Sequence, residues 1–158
     1  FISVSKLNKN KFINCANLLK HRGPDSQGYF YDDNLNLKIY HFRLSILDLE
    51  MGNQPMTDNS NQYVIVFNGL IYNFKEIRKL LESKNHQFKT KNSDTEVILE
   101  SYKLWGADCV NHFDGMFSFL FLIKKRKNYF VAEIGLEKNL YFISYLMKKF
   151  LFRLNFCP

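Results

Sequence analysis

The pattern of apolar and polar positions is dominated by two apolar runs, Tyr63–Phe67 and Met116–Ile123. Runs this rich in β-branched and aromatic residues predict buried strands. The first stops at Asn68-Gly69, a dipeptide that tolerates positive φ. Ile71-Tyr72 is too short for a return strand, and Asn73-Phe74-Lys75-Glu76 reads as a capping box, so strand, bend and helix are predicted in succession. Phe74, Ile77, Leu80 and Leu81 predict that helix's apolar stripe. Ser93-Asp94-Thr95-Glu96 predicts a second start, with Val97, Ile98, Leu104 and Trp105 inward and Gly106 as the stop. Lys11–Lys20 carries Phe12, Ile13, Ala16 and Leu19 at helical spacing, with Cys15 on or beside that face, and Cys109–Phe113 reads as a short helix. Tyr29–Tyr31 and Leu35–His41 predict two strands across Asp32-Asp33-Asn34, the second alternating and running on towards Leu49. Gln87–Thr90 reads as a short strand, and Met116–Ile123 pairs with Tyr129–Ala132 across Lys124–Lys127. Antiparallel pairs with helices around them make the expected class α+β.

Length and charge narrow this picture. The 158 residues suit one domain with a sizeable core. The net charge of +7 is spread along the chain. Its densest cluster, Lys124-Lys125-Arg126-Lys127, falls at a predicted hairpin tip, so nucleic acid is not an expected partner. The abundance of Phe, Tyr, Lys and Asn matches AT-rich codons and carries no functional signal. Cys15, Cys109 and Cys157 form neither a CxxC pair nor a ligand-spaced cluster, which points away from disulfides and metal and towards a reducing cytoplasm. No signal peptide opens the chain, and Leu140–Met147 is far short of the roughly 20 residues of a membrane span, so no membrane partner is expected.

Three places offer chemistry. Asn68 supplies a carboxamide and Gly69 an unhindered N–H at a strand end, the two convergent donors of an oxyanion hole; the plain alternative is an Asn-Gly turn. Arg43 stands between apolar neighbours and calls for an anionic partner: Asp25, Asp48 or a substrate carboxylate. Asp94 either serves the helix dipole or holds a cationic group. The polar run His21–Gly28 must be tied down by its own hydrogen bonds or be mobile.

Four motifs resemble the glutaminase domain of glutamine-hydrolysing asparagine synthetases: His21-Arg-Gly-Pro-Asp-Ser-Gln-Gly28, Arg43-Leu-Ser-Ile-Leu-Asp-Leu49, Phe67-Asn-Gly-Leu-Ile-Tyr-Asn73 and Ser93-Asp-Thr-Glu96. Gly52-Asn-Gln-Pro-Met56 lies between them as in that family, and the resemblance covers about residues 1–132. It implies a four-layer αββα sandwich of the N-terminal-nucleophile hydrolase type. It also implies that Asn68 and Gly69 form the oxyanion hole and that Arg43 clasps the α-carboxylate of glutamine. Leu44, Ser45, Ile46 and Leu47 would line that pocket, Leu70 would adjoin the substrate, and Asp94 would hold the α-ammonium. The implied partners are glutamine and a C-terminal synthetase domain. ATP and magnesium are expected only for that second domain, no cofactor is expected for this chain, and the full-length family is often homodimeric.

Three departures accompany the resemblance. The family nucleophile is an N-terminal cysteine in a Cys-Gly-Ile opening, directly ahead of where this chain starts, and its own α-amine serves as base. Cys15, a helical thiol with no adjacent α-amine, is no substitute, so the expectation is a chain that is inactive as written. The alternatives are a non-catalytic glutamine-binding or non-functional truncated product, or the glutaminase half of an amidotransferase with another acceptor. Leu70 stands where the family has Glu, and Phe42 where a basic residue is typical. After Ala132 the family-like reading ends. Deleting one nucleotide from plausible codons for the family continuation, Arg-Asp-Arg-Phe-Gly-Glu-Lys-Pro-Leu, yields Glu133-Ile-Gly-Leu-Glu-Lys-Asn-Leu140. Residues 133–158 are therefore expected to be a frameshifted tail, which the coding DNA, read in its other frames, decides.

Overall fold

The computed structural model describes residues 2–4, 8–44, 52–126, 128–134, 140–146 and 151–152. Its strands form two antiparallel sheets. The first runs in the order β2 (Ser26–Asp32), β3 (Leu37–Arg43), β1 (Ile2–Val4) and β9 (Leu151–Phe152). The second runs β4 (Met56–Thr57), β5 (Tyr63–Ile71), β6 (Gly115–Ile123), β7 (Asn128–Ile134) and β8 (Leu140–Leu146). The helices are α1 (Lys9–Asn17), α2 (Phe74–Ser83) and α3 (Asp94–Trp105), with 3-10 turns at Lys20–Arg22, Gly106–His112 and Lys124–Arg126.

Strand alternation sorts the apolar residues into three layers of contact. Ile65, Phe67 and Ile71 of β5 and Phe117, Phe119 and Phe121 of β6 pack with Phe74, Ile77 and Leu81 of α2 and Val97 and Ile98 of α3. The alternate residues Val64, Val66, Leu120 and Leu122 face the other way and meet Leu37, Ile39 and Phe30 of the first sheet. The far side of that sheet presents Tyr31, Tyr40 and Phe42 to Phe12, Ile13 and Ala16 of α1. The order is helix, sheet, sheet, helices: the expected αββα arrangement of an α+β fold.

Several local expectations are corrected. The β5 strand does not end at Asn68-Gly69 but runs through to Ile71. Gly69 is needed for close approach rather than for a turn. Its φ is +137°, and a Cβ there would lie 2.2 Å from the Met116 carbonyl oxygen. Asn73 makes no side-chain cap for α2. Its carboxamide instead donates to His112 O and accepts from Asp114 N–H, both at 2.9 Å. Ser93 does cap α3, but Glu96 does not complete a capping box; it reaches back to the N–H groups of Lys89 and Thr90 at 2.9 and 2.8 Å. With those amides bound to a carboxylate, residues 87–90 form no strand. Leu80 and Leu104 are exposed rather than inward. The 3-10 turn Gly106–His112 stands where a short helix over Cys109–Phe113 is expected. Lys11–Lys20 resolves into α1 and the turn Lys20–Arg22, and the strand predicted from Leu35 spans Leu37–Arg43.

The boundary expected at residue 132 falls within β7, and residues 140–146 pair antiparallel with it as β8. The expectations for residues 135–139, 147–150 and 153–158, Cys157 among them, lie outside the described residues. Among the described residues no helix is long and apolar enough to cross a membrane.

Phe119 is fully buried and its ring stacks on Phe117 at 5.9 Å, at the centre of the larger core. Phe119→Ala is expected to lower unfolding stability by about 3–5 kcal/mol, read from urea denaturation; a loss below about 1 kcal/mol would contradict this packing.

Candidate functional site

The open edge of β5 organises the site. In an antiparallel strand, successive N–H groups point alternately to the two neighbours. Tyr72 N–H bonds to Asp114 O on the β6 side, and Asp58 N–H bonds to Tyr63 O on the β4 side. The N–H groups of odd-numbered β5 residues therefore face β4. That strand pairs only Met56 with Ile65 and Thr57 with Val64. Beyond it, side chains take over the edge. The Gln54 carboxamide oxygen accepts from Phe67 N–H at 2.6 Å, and the Asp94 carboxylate accepts from Ile71 N–H at 3.4 Å. The Gly69 N–H lies on this edge between those two, next to the exposed Asn68.

The space between the sheets changes character along its length. Leu37, Ile39, Val64, Val66, Leu120 and Leu122 fill one part. Continuing the alternation along the same strands brings His41, Arg43, Asn68 and Ser118 to the same inner faces. Ser118 is fully buried, and its Oγ has no hydrogen-bond partner among the described residues. Burial pushes the half-buried His41 imidazole down to about 4, with the Arg43 cation adding to the effect. His41 is therefore neutral near pH 7.

Arg43 ends β3 and is buried. The polar run before β2 lies on its backbone: Asp25 N–H donates to Arg43 O at 3.1 Å, and Pro24 bridges Arg43. A Cβ on Gly23 would come within 2.4–2.6 Å of the Phe42 carbonyl and the Arg43 nitrogen. That loop is tied down by its own bonds, as one of the two expectations has it. Asp94, buried at the start of α3, has its carboxyl pushed up by burial, against the pull of the Ile71 and Thr95 amides and of the Arg43 guanidinium. Arg43 and Asp94 thus sit within electrostatic reach of each other, one cation and one carboxylate at the polar end of the sandwich.

The fold so gathers Arg43, Asn68, Gly69 and Asp94, with Leu70 half-buried on β5 beside them. Leu44 follows Arg43 and is 58 % exposed. The expectations for Ser45, Ile46 and Leu47 lie outside the described residues. Sequence reasoning missed Gln54 and His41. The only pointer to Gln54 was its place in Gly52-Asn-Gln-Pro-Met56, to which no role attached. Neither described cysteine stands in the gathered set. Cys109 is buried behind the second sheet with its thiol pushed up to about 12, and Cys15 rides on α1 beyond the first sheet.

A cavity of about 100 Å³ lies elsewhere, lined by Met56, Asp58, Thr90, Glu96 and Glu100 among others. Its carboxylates are spoken for. Asp58 accepts from Gln62, Tyr63 and Ser60, Glu96 from Lys89 and Thr90, and Glu100 contacts Lys103 at 2.6 Å and His86 at 2.8 Å. A space whose polar groups are satisfied internally offers little to a charged ligand.

The profile of a family described as a glutamine amidotransferase domain matches residues 1–154. The glutamine-hydrolyzing asparagine synthetase 1 of Bacillus subtilis (strain 168) is 45% identical over 103 residues, covering 65% of this chain and 16% of that protein. Asparagine synthetase 3 of the same organism is 38% identical over 136 residues, 85% of this chain and 22% of the relative. Asparagine synthetase 1 of Arabidopsis thaliana is 38% identical over 130 residues, 82% and 21% respectively. The chain thus spans no more than about a fifth of these relatives. Among solved structures, the B. subtilis glutamine phosphoribosylpyrophosphate amidotransferase complexed with ADP and GMP superposes with a TM-score of 0.51 at 24% identity. That match covers 62% of this chain and 23% of the other, a likeness of fold.

His41 gives the site a pH signature. Its folded value of about 4 lies below the ordinary 6.5, so between these the unfolded chain takes up a proton that the folded chain refuses. Stability present above about pH 6.5 is lost as pH falls towards 4. Asp94 acts with the opposite sign, because its raised value lets the folded chain hold a proton first as pH falls towards the ordinary carboxyl range. His41→Gln is expected to flatten the loss of stability between pH 6.5 and 4, measured by urea midpoints across that range; parallel curves for both proteins would refute it.

Proposed function

The chain belongs to the glutamine amidotransferase family, and from that premise we propose that its polar inter-sheet end is a glutamine site, the glutaminase part of a glutamine-hydrolysing asparagine synthetase. The observation that carries this reading is the joint placement of Arg43 and Asp94 against the Asn68–Gly69 donors. Arg43 takes the α-carboxylate in a charge-assisted pair, and Asp94 takes the α-ammonium. The side-chain amide extends to β5, where the Asn68 carboxamide and the Gly69 N–H stabilise the oxyanion formed when a nucleophile attacks. Leu44 follows Arg43 on the head-group side, and Leu70 flanks the amide. Ammonia released there serves an activated carboxylate such as aspartate, an activation assigned with ATP and magnesium to the synthetase part of such a protein.

The attacking group fits an N-terminal cysteine. Ile2 pairs with Ile39 and Val4 with Leu37. Continued backwards in this register, a Cys-Gly-Ile placed ahead of Phe1 sets its Ile opposite His41, its Gly opposite Phe42 and its Cys opposite Arg43.

Glutamine titrated calorimetrically into the chain is expected to bind, and Arg43→Ala or Asp94→Ala to weaken binding by roughly tenfold to a hundredfold, the size of one lost charge-assisted hydrogen bond of about 1.5–3 kcal/mol. A chain bearing the Cys-Gly-Ile extension is expected to release ammonia from glutamine, at a rate that Asn68→Ala cuts by roughly 10²–10³. Unchanged affinity in both charge variants would sink the head-group assignment.

A further inference from the structure

Gln54 occupies an unusual place in the hydrogen-bond pattern. The β4–β5 register pairs Met56 with Ile65 and Thr57 with Val64. Extended two residues further, it sets position 54 opposite Phe67, but Pro55 has no N–H with which to continue a ladder. The Gln54 side chain does the work of the missing strand. Its carboxamide oxygen accepts from Phe67 N–H at 2.6 Å, and its nitrogen donates to Thr95 Oγ1 at 3.3 Å. Gln54 itself is buried. Its main chain is also held, since a Cβ on Gly28 would meet the Gln54 carbonyl oxygen at 1.9 Å, and Gly28 pairs with His41 in the first sheet.

One residue thus joins three parts of the site, two through its side chain and the third through its main chain. Phe67 immediately precedes Asn68 and Gly69, Thr95 immediately follows Asp94, and Gly28 lies across from His41 beside Arg43. We propose that Gln54 is a positioning residue that sets the separation between the oxyanion donors on β5 and the head-group carboxylate at the start of α3, and thereby selects the length of the amino-acid side chain bound. The inference rests on the glutamine reading above. Asparagine carries the same head group and the same terminal amide one methylene closer, so it measures this separation directly. A fixed separation accepts glutamine and leaves asparagine unable to satisfy both ends. Without the Gln54 bridge, β5 and α3 shift relative to each other and the preference for length decays. The bridge touches neither end of the ligand, so its effect appears as lost discrimination rather than as a common loss of affinity.

The test compares glutamine and asparagine affinity by calorimetry for the chain, for Gln54→Ala, for the near-isosteric Gln54→Met and for Gln54→Glu. The carboxylate of Gln54→Glu still accepts from Phe67 N–H and from the Thr95 hydroxyl. The glutamine-to-asparagine affinity ratio is expected to fall at least about tenfold in the Ala and Met variants and to stay within about threefold of the unmodified chain in the Glu variant. If Ala and Met weaken both ligands by one factor, or leave both unchanged, the positioning role is overturned while the glutamine site stands. If the unmodified chain binds neither ligand, the glutamine reading fails and the inference falls with it. Gln54→Met keeps the buried volume, so the comparison survives if the Ala variant does not fold.

Discussion

The structure depends most on the antiparallel pairing of β5 with β6. That pairing fixes which backbone amides are used up in the sheet and which face outward. From Tyr63 to Ile71 the two strands stay in register across nine residue pairs, so the odd-numbered amides of β5 are all presented to the opposite edge. A full strand on that edge would consume them. Instead β4 covers only Ile65 and Val64, and two side chains from distant parts of the sequence meet Phe67 and Ile71. An exposed row of amides ordinarily invites another strand. Here the row is shortened and occupied by groups that leave Gly69 as the donor between them.

The second constraint is the graded filling of the space between the sheets. Apolar side chains close one part of it, and the same alternating positions further along the strands carry His41, Arg43, Asn68 and Ser118. Each strand therefore contributes both core and site, and the core holds the site rigid. The Arg43 backbone is additionally fastened by the loop before β2, and Asp94 by the first turn of α3. A cation and a carboxylate held this way need little reorganisation to receive an amino-acid head group, which is how preorganised polar groups contribute most to binding and catalysis.

Much of this was legible in the sequence where a local pattern and a tertiary role coincide. The β5 and β6 runs read as buried strands because nearly every residue in them is covered on one side by helices or on the other by a sheet. Arg43 and Asp94 stood out as charges in apolar or capping contexts, and both are buried. The sequence misled where a residue serves a distant partner. Gly69 looked like a turn, yet its missing side chain admits the Met116 carbonyl. Residues 87–90 had strand composition, but Glu96 binds their amides. Leu80 lies one step round α2 from the stripe of Phe74, Ile77 and Leu81, off the face that meets the sheet. Gln54 was invisible for the same reason: its role exists only once β4 and β5 are in register and α3 is docked beside them.

The central claim, that glutamine binds with its amide at the open β5 edge and its head group at Arg43 and Asp94, is tested most directly by following backbone and side-chain amide resonances of the chain during a glutamine titration. The account predicts saturable shifts at the Gly69 amide, the Asn68 carboxamide and the Asp94 amide, with the Thr90 and Glu96 amides beside the separate cavity unmoved. Shifts confined to that cavity, with Gly69 and Asn68 unchanged at saturating glutamine, would contradict it.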